Sequence, residues 1–260
     1  MLYVLLPCLN EAENIKILVK KISDVCKKDF KQFQILVCQD GSTDDTSEVV
    51  KKLSKDIPVE LLSYKKQRGL GKAFNRLIQE VVKRSKKDSD FAIFLDADNS
   101  HSPKHFKEVK KKIDNGYSVV VVSRFCEKSV MKGFSLFRTC LSLGISIVLR
   151  SLFPIRKDDD TKLKDYTSSY RGYTVGVLKK AFKIYGKEGF VTEAQFTYTF
   201  EVLTKLNLIN TKITEIPLDY RYDEKIGESK LNLYKNGICF VQLIFKLLKL
   251  KYACLFRKVK

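Results

Sequence analysis

Two aspartates stand two positions apart, directly after an apolar run, in the segment FAIFLDADNSH at residues 91–101. Residues 91–95 show no alternation of apolar and polar side chains, which is typical of a parallel strand with both faces covered. Asp96 and Asp98 would then lie at the carboxyl end of that strand, the edge where open α/β sheets bind ligands. Because neighbouring carboxylates repel one another, the segment predicts a positively charged partner between them.

Strand and helix patterns alternate along the first half of the chain. Strands are predicted at residues 2–6, 33–38, 59–63, 91–95 and 118–122, and helical patterns begin near residues 11, 45, 70 and 103. This order predicts an α/β fold in three layers with a mostly parallel central sheet. Polar segments follow three of the strands: PCLNEAEN, QDGSTDD and DADNSH. Their convergence on one edge predicts a polar ligand site, although each segment alone is also typical of helix capping.

The composition limits the class of partner. The chain has 260 residues, is 44% hydrophobic and contains no linker or internal repeat, so it can bury one sizeable core. Its net charge of +19 favours an anionic partner, which could be nucleic acid, a membrane surface or a phosphorylated substrate, but a lysine-rich solvated surface explains part of it equally well. Seven cysteines without a CxxC pair argue against a disulfide framework or a zinc site and indicate a reducing compartment.

Two long apolar segments lie in the second half, at residues 133–154 and 236–256. Both contain Arg or Lys within the run, and neither reaches the roughly 20 uncharged residues of a membrane-spanning helix. Helices of this kind lie in a membrane interface or pack as amphipathic core helices. The N-terminal segment is too short and too soon interrupted for a signal peptide. We therefore expect peripheral binding at the cytoplasmic face of a membrane, without a transmembrane span.

Seven motifs in a fixed order resemble those of family 2 glycosyltransferases: LPCLNEAENI, QDGSTDDT, RGLGKAFN, LDADNSH, VSRF, DYTSSYRGY and IGESKLN. The set is most similar to the dolichyl-phosphate mannose synthases and other polyprenyl-phosphate glycosyltransferases. The resemblance implies a GT-A (Rossmann-like) three-layer fold over residues 1–230, including amphipathic interface helices at about 131–153. Residues 231–260 would form a C-terminal amphipathic helix at the membrane interface.

The resemblance also implies roles for individual residues. The metal, Mg²⁺ or Mn²⁺, would be held by Asp96 and Asp98, with Ser100 as a weaker ligand. The nucleotide-sugar would be contacted by Pro7, Leu9, Glu11, Asp40, Arg68, Asp96, Ala97, Asp98, Arg124 and Lys230. Catalysis would depend on Asp96, Asp98, Arg124, Arg138, Asp165, Arg171 and Lys230, whose basic members would surround the diphosphate and the lipid phosphate.

Three local features leave alternatives open. The RGLG turn at residues 68–71 either presents backbone N–H groups to phosphate or simply begins a helix. His101 and His105 are expected to be surface residues. Glu224 stands where the family commonly has an arginine, and Lys225 or Arg221 could replace that positive charge.

The sequence predicts a metal-dependent, inverting transfer of one sugar, of the mannose or glucose type, from a GDP- or UDP-sugar to a dolichyl or undecaprenyl phosphate. A small membrane subunit is a further expected partner. The first alternative is transfer to a hydroxyl of a glycan or lipid, which would need a carboxylate base. The second, a basic nucleic-acid-binding module, is disfavoured because the chain has no recognised nucleic-acid motif, and we expect no nucleic-acid partner.

Overall fold

A seven-stranded sheet forms the centre of the computed structural model, which describes residues 1–157, 161–227 and 233–258. The strands are β1 (Leu2–Cys8), β2 (Phe33–Asp40), β3 (Val59–Tyr64), β4 (Phe91–Phe94), β5 (Val119–Ser123), β7 (Arg171–Thr174) and β8 (Ile213–Pro217), in the order β3-β2-β1-β4-β7-β5-β8. Strand β7 pairs antiparallel with β4 and β5, and the other pairings are parallel. Strands β6 (Val130–Lys132) and β9 (Asp219–Arg221) form a second, two-stranded parallel sheet.

Helices cover both faces of the large sheet. They are α1 (Ala12–Asp29), α2 (Thr46–Leu53), α3 (Leu70–Arg84), α4 (Phe106–Asp114), α5 (Leu136–Leu152), α6 (Val175–Tyr185), α7 (Tyr198–Leu208) and α8 (Leu233–Lys258), with 3-10 turns at Pro103–His105 and Tyr222–Glu224. Strand side chains alternate between two cores, because Tyr3 and Leu5 pack on the side of α3 and α7 whereas Leu2, Val4 and Leu6 pack on the side of α1. This three-layer α/β arrangement confirms the predicted fold class.

The five predicted strands are present, with ends shifted by one or two residues. All of β1 is buried, which explains its uninterrupted apolar pattern. Strand β7 was not predicted, since Arg171–Thr174 is short and reads RGYT. It pairs with β4 and β5, and Gly172 leaves room for Val109 of α4 against the sheet. A side chain at position 172 would collide with Val109.

Helices α5 and α8 expose apolar side chains. Leu136 and Phe137 on α5 are 77% and 67% exposed, and Phe245 on α8 is 63% exposed. Helix α8 nevertheless buries Leu243 and Leu247 in the core cluster that contains α7. Helix α8 thus packs on the rest of the fold. The domain boundary between residues 230 and 231 stays a prediction. Across the described ranges, we find no helix with the length and hydropathy to cross a membrane.

Candidate active site

A cleft of about 690 Å³ opens at the edge of the sheet where β1, β2, β4 and β5 end. Its lining includes these predicted site residues: Pro7, Leu9, Glu11, Asp40, Arg68, Asp96, Ala97, Asp98, Arg124 and Arg138. Ser100, Asp165 and Arg171 lie behind this lining, and Lys230 lies outside the described residues. The fold thus brings together most of the side chains that the sequence singled out.

The two aspartates of the DAD segment lie in the cleft and are largely buried. Asp96 Oδ2 accepts a hydrogen bond from the Ser169 hydroxyl at 2.8 Å. Asp98 Oδ1 accepts from the Ser100 hydroxyl at 2.5 Å and from the Ser100 N–H at 3.2 Å. Burial, reinforced by the nearby Asp98 charge, raises the pKa of Asp96 to about 7. The two carboxylates therefore repel one another in a site that water solvates poorly.

Lys225 contacts this pair directly. Its Nζ lies 2.7 Å from Asp98 Oδ2, and the two side chains are only 10% and 13% exposed. Burial would raise the pKa of Asp98, but the Lys225 charge together with the hydrogen bonds from Lys225 and Ser100 holds that pKa below its usual value. The carboxylate in turn raises the pKa of Lys225 despite burial. Of the two candidates for the missing family arginine, the structure brings Lys225 to the cleft.

Arg221, the other candidate, points elsewhere. Its guanidinium forms ion pairs with Asp223 at 2.9 Å and with Glu224 at 3.3 Å. It does not line the cleft.

Ser100 is fully buried and donates its hydroxyl to Asp98. Its oxygen does not line the cleft, so in this structure Ser100 orients the Asp98 carboxylate. A role as a direct metal ligand stays a prediction.

Both histidines are buried, which corrects the expectation that they lie on the surface. His101 is 4% exposed and His105 is 9% exposed, because β9 covers the turn that follows β4. His101 Nδ1 accepts from the Asp96 N–H, and His105 Nε2 accepts from the Asp219 N–H. Burial lowers the pKa of each ring to about 4, so the approach of His101 to the Asp96 carboxylate at 3.9 Å is not an ion pair.

The RGLG segment begins α3 and packs against a neighbouring loop. Asp40 accepts hydrogen bonds from the N–H groups of Arg68 and Gly69, both at 2.7 Å, and the Gly71 N–H donates to Ala194. A side chain at position 71 would overlap the Glu193 carbonyl oxygen. These N–H groups are therefore satisfied within the protein, which supports the helix-start interpretation over a phosphate cradle. Asp40 likewise orients this turn while lining the cleft.

Arg124 and Asp165 form a buried ion pair beside the cleft. Arg124 donates from Nε and from an NH₂ group to the two carboxylate oxygens, at 2.8 Å each, and the Arg124 N–H adds a bond at 3.0 Å. Burial alone would raise the pKa of Asp165, but the Arg124 charge and these hydrogen bonds lower it to about 2. Asp165 thereby fixes the guanidinium in a geometry suited to an oxyanion. Thr167 and Ser142 also accept from Arg124, at 2.5 and 3.4 Å.

Arg138 projects from α5 into the same cleft. It donates to the Tyr222 hydroxyl at 3.1 Å, and it is half-buried. Tyr222 and Phe134 pack edge to face, with ring centroids 5.5 Å apart. Arg138 is therefore positioned by an aromatic pair and leaves most of its donors available.

Arg171 does not reach the cleft. It is 1% exposed and lies within β7, where its guanidinium donates to the carbonyl groups of Thr199 and Tyr166. These contacts join the sheet to α7, so the structure places Arg171 in the core. Its role beside the phosphate stays a prediction.

Part of the cleft wall was not predicted from the sequence. It is formed by residues 194–197, which precede α7. Buried Glu201 organises this loop by accepting from the N–H groups of Thr192 and Glu193, both at 2.9 Å. Asn236 of α8 accepts from the Phe196 N–H at 3.2 Å. In the sequence, only Gly71 indicated that a loop packs here, because its missing side chain leaves room for residues 193–194.

The residues present fit a divalent cation. Asp96 and Asp98 offer hard carboxylate oxygens, and their mutual repulsion leaves negative charge for a cation to neutralise. In the described part of the chain, no group of three or more His, Cys, Asp or Glu side chains could hold a metal on its own. A cation here would therefore complete its shell with water and substrate phosphate, as Mg²⁺ commonly does.

The comparisons with known proteins agree with this geometry. The profile of the family described as glycosyl transferase family 2 matches residues 3–182. The chain belongs to this family. It is 26% identical to a dolichol-phosphate mannosyltransferase of Pyrococcus furiosus over 95% of the chain. It is 25% identical to a polyprenol monophosphomannose synthase of Mycolicibacterium smegmatis over 88% of the chain, which covers 80% of that relative. The chain spans 63% of the length of the Pyrococcus relative.

Solved structures confirm the GT-A fold. The glucosyl-3-phosphoglycerate synthase of Mycobacterium tuberculosis, in complex with Mn²⁺, UDP and phosphoglyceric acid, superposes with a TM-score of 0.63 at 18% identity, covering 98% of this chain and 78% of that one. TarS of S. aureus, residues 1–349, superposes with a TM-score of 0.55 at 20% identity, covering 84% of this chain and 59% of that one. At these identities the likeness establishes the fold alone.

Proposed function

We propose that this family 2 glycosyltransferase moves a single sugar, of the mannose or glucose type, from a nucleotide-diphosphate sugar to a polyprenyl phosphate, with inversion at the anomeric carbon. One observation carries the proposal: a single cleft is lined by the carboxylates Asp96 and Asp98, by Arg124 and Arg138, and by apolar residues of α5 and α8. Such a cleft suits a metal-bound diphosphate and an acceptor that joins a phosphate to an apolar tail. The names of the relatives support the same acceptor class.

On the donor side, Asp96 and Asp98 would hold Mg²⁺ or Mn²⁺, which would neutralise charge on the departing diphosphate. The donor would be a GDP- or UDP-sugar, and Pro7, Leu9 and Glu11 line the part of the cleft contributed by the end of β1. Arg124, held in place by Asp165 at the cleft lining, would place its positive charge near the negative charge that develops on the diphosphate.

On the acceptor side, an oxygen of the lipid phosphate would attack the anomeric carbon opposite the diphosphate. The new carbon–oxygen bond forms as the bond to the diphosphate breaks, and the nucleoside diphosphate leaves. A phosphate monoester with a second pKa of about 6 is mostly dianionic at neutral pH, so it needs cationic groups that position it and no base. Arg138 supplies such a group. Glu193, an acid near the cleft, lies 3.6 Å from Lys246 and does not line the cleft wall.

Peripheral membrane binding follows from the same proposal. The exposed apolar side chains Leu136 and Phe137 of α5 and Val241 and Phe245 of α8 extend from the helices that line the cleft. A surface of this kind inserts into a membrane interface, and nearby basic residues add attraction to anionic lipid. A small membrane subunit stays a prediction from the resemblance.

A donor screen tests the function. The purified protein is incubated with GDP-mannose, UDP-glucose or UDP-N-acetylglucosamine, a short polyprenyl phosphate in detergent, and Mg²⁺ or Mn²⁺, and the lipid products are identified by mass spectrometry. We expect one donor to give a sugar-phosphoprenol, and we expect Asp98→Ala to give none. If no donor yields this product while the protein remains folded, the proposed function is wrong.

A further inference from the structure

Residues 222–227, here called the strap, lie across the Asp98 side of the cleft. The Ile226 N–H donates to Asn14 Oδ1 at 3.1 Å, and Asn14 Nδ2 donates back to the Ile226 carbonyl at 2.9 Å. Asn99 Nδ2 donates to the Glu224 carbonyl at 3.2 Å, and Lys21 pairs with the Glu224 carboxylate at 2.7 Å. The strap is thus fastened to α1 and to the DAD turn on both sides of Lys225.

These contacts hold the Lys225 ammonium beside Asp98, where a metal cation would bind. Its Nζ lies 2.7 Å from Asp98 Oδ2, while Asp98 Oδ1 already accepts the Ser100 hydroxyl at 2.5 Å. Each oxygen of Asp98 therefore already accepts a hydrogen bond, although a carboxylate oxygen has a second lone pair. A divalent cation that takes Oδ2 would stand beside the Lys225 ammonium and repel it, whereas the Ser100 hydroxyl on Oδ1 has no net charge to repel.

We propose that Lys225 is the resident counter-cation of the Asp96–Asp98 pair, and that a divalent cation binds by displacing its ammonium from Asp98. The inference rests on the proposed function only in expecting a metal at these carboxylates. Lys225 keeps the carboxylate pair partly neutralised when no metal is bound, which lowers the cost of holding two acids side by side. The metal then binds more weakly than the carboxylates alone would allow, and its arrival frees a basic residue within the cleft.

The first test is Mn²⁺ binding, measured from the loss of the free-ion electron paramagnetic resonance signal during titration with protein and no nucleotide. Lys225→Met removes the competing ammonium, and Lys21→Met is the matched control because Lys21 fastens the same strap without touching Asp98. Mn²⁺ at Asp98 breaks the charge-assisted hydrogen bond from Lys225 in the wild type, so we expect Lys225→Met to bind Mn²⁺ about tenfold or more tightly than the wild type. Lys21→Met should change binding less than about threefold.

A double variant makes the test specific to Asp98. In an Asp98→Asn background, Lys225→Met should give no tightening, since the carboxylate for which the two cations compete is absent. Equal or weaker Mn²⁺ binding by Lys225→Met than by the wild type, including the case in which neither binds, overturns the proposal. The proposal is also overturned if Lys21→Met tightens Mn²⁺ binding as much as Lys225→Met does.

A measurement on the wild type needs no variant to fold. Lys225 should react slowly with an amine-acylating reagent, because its side chain is 10% exposed and paired. Saturating Mn²⁺ should increase its labelling several-fold, whereas Lys110, on the surface of α4, should label equally with and without Mn²⁺. If Mn²⁺ binds and labelling of Lys225 does not rise, displacement is wrong. Because these readouts involve no sugar transfer, they can fail or succeed independently of the proposed function.

Discussion

Substitution of Asp165 in the buried Arg124–Asp165 ion pair tests how the cleft is held in shape. Asp165 is fully buried and accepts from the Arg124 side chain and N–H as well as from the N–H groups of Thr167 and Ser168. Asp165→Asn keeps the size of this side chain but removes its charge, so it leaves a guanidinium without a counter-ion in a site that is 10% exposed. Removing one partner of a buried ion pair typically costs about 3–5 kcal/mol.

The expected loss of stability also follows from the pKa of Asp165. The native environment lowers the pKa of Asp165 from 3.8 to about 2. Each pKa unit corresponds to about 1.4 kcal/mol, so this carboxylate contributes on the order of 2–3 kcal/mol to the free energy of unfolding at neutral pH. Because the native pKa is the lower one, the contribution is complete above the unfolded pKa and is lost as the pH falls through the native pKa. Roughly half of it should be gone at pH 3.

Urea unfolding, followed by circular dichroism at several pH values between 7 and 3, measures both effects. We expect Asp165→Asn to lose about 3 kcal/mol at pH 7 relative to the wild type, and the difference to narrow by about 1 kcal/mol at pH 3. Asp114→Asn is the control, since Asp114 pairs with Lys110 on the surface and should cost less than about 1 kcal/mol. If Asp165→Asn lowers the free energy of unfolding as little as Asp114→Asn does, or if the stability difference from the wild type widens at low pH, the Arg124–Asp165 pair does not stabilise the fold in this way.

Three further predictions concern the cleft and the exposed helices. Asp98→Ala should abolish Mn²⁺ binding and sugar transfer while leaving the circular dichroism spectrum unchanged; wild-type transfer in excess EDTA would contradict this. Arg138→Ala should raise the KM for the prenyl phosphate about tenfold, equivalent to 1.4 kcal/mol, with little change in the KM for the donor; a larger change for the donor would reverse the assignment. Phe245→Glu should weaken the free energy of binding to anionic vesicles, measured by co-sedimentation, by about 2 kcal/mol. Ile184→Glu, which replaces an exposed apolar side chain on α6, should leave that binding unchanged; equal effects of the two variants would exclude α8 as the docking surface.

The first half of the fold was predictable because its signals are local. The apolar run at residues 91–95 and the alternation of strand and helix patterns gave the parallel strands, and polar segments after those strands located the cleft. Asp96, Asp98 and Asp40 could be placed there because the carboxyl ends of parallel strands share one edge. The family resemblance added Arg124 and Arg138, which no local pattern distinguishes from other arginines.

The remainder depends on contacts between distant parts of the chain. The ion pair between Asp98 and Lys225 joins positions 127 residues apart, and the sequence offered both Lys225 and Arg221 as the missing positive charge without deciding between them. His101 looked like a surface residue because no sequence signal shows that β9 covers it. Arg171 matched a family motif, yet its neighbours in β7 fix it in the core. Tertiary packing decided each of these positions.

In the proposed reaction the acceptor nucleophile is a lipid phosphate, which arginines position and which needs no base. The most direct measurement compares initial transfer rates to a short prenyl phosphate and to the prenyl alcohol of the same length, across pH 5 to 9. We predict transfer to the phosphate alone, with a rate that follows ionisation of the acceptor phosphate and levels off above roughly pH 7. Efficient transfer to the alcohol, abolished by neutralising one carboxylate such as Glu193→Gln while metal and donor binding survive, would contradict the account and favour a hydroxyl acceptor.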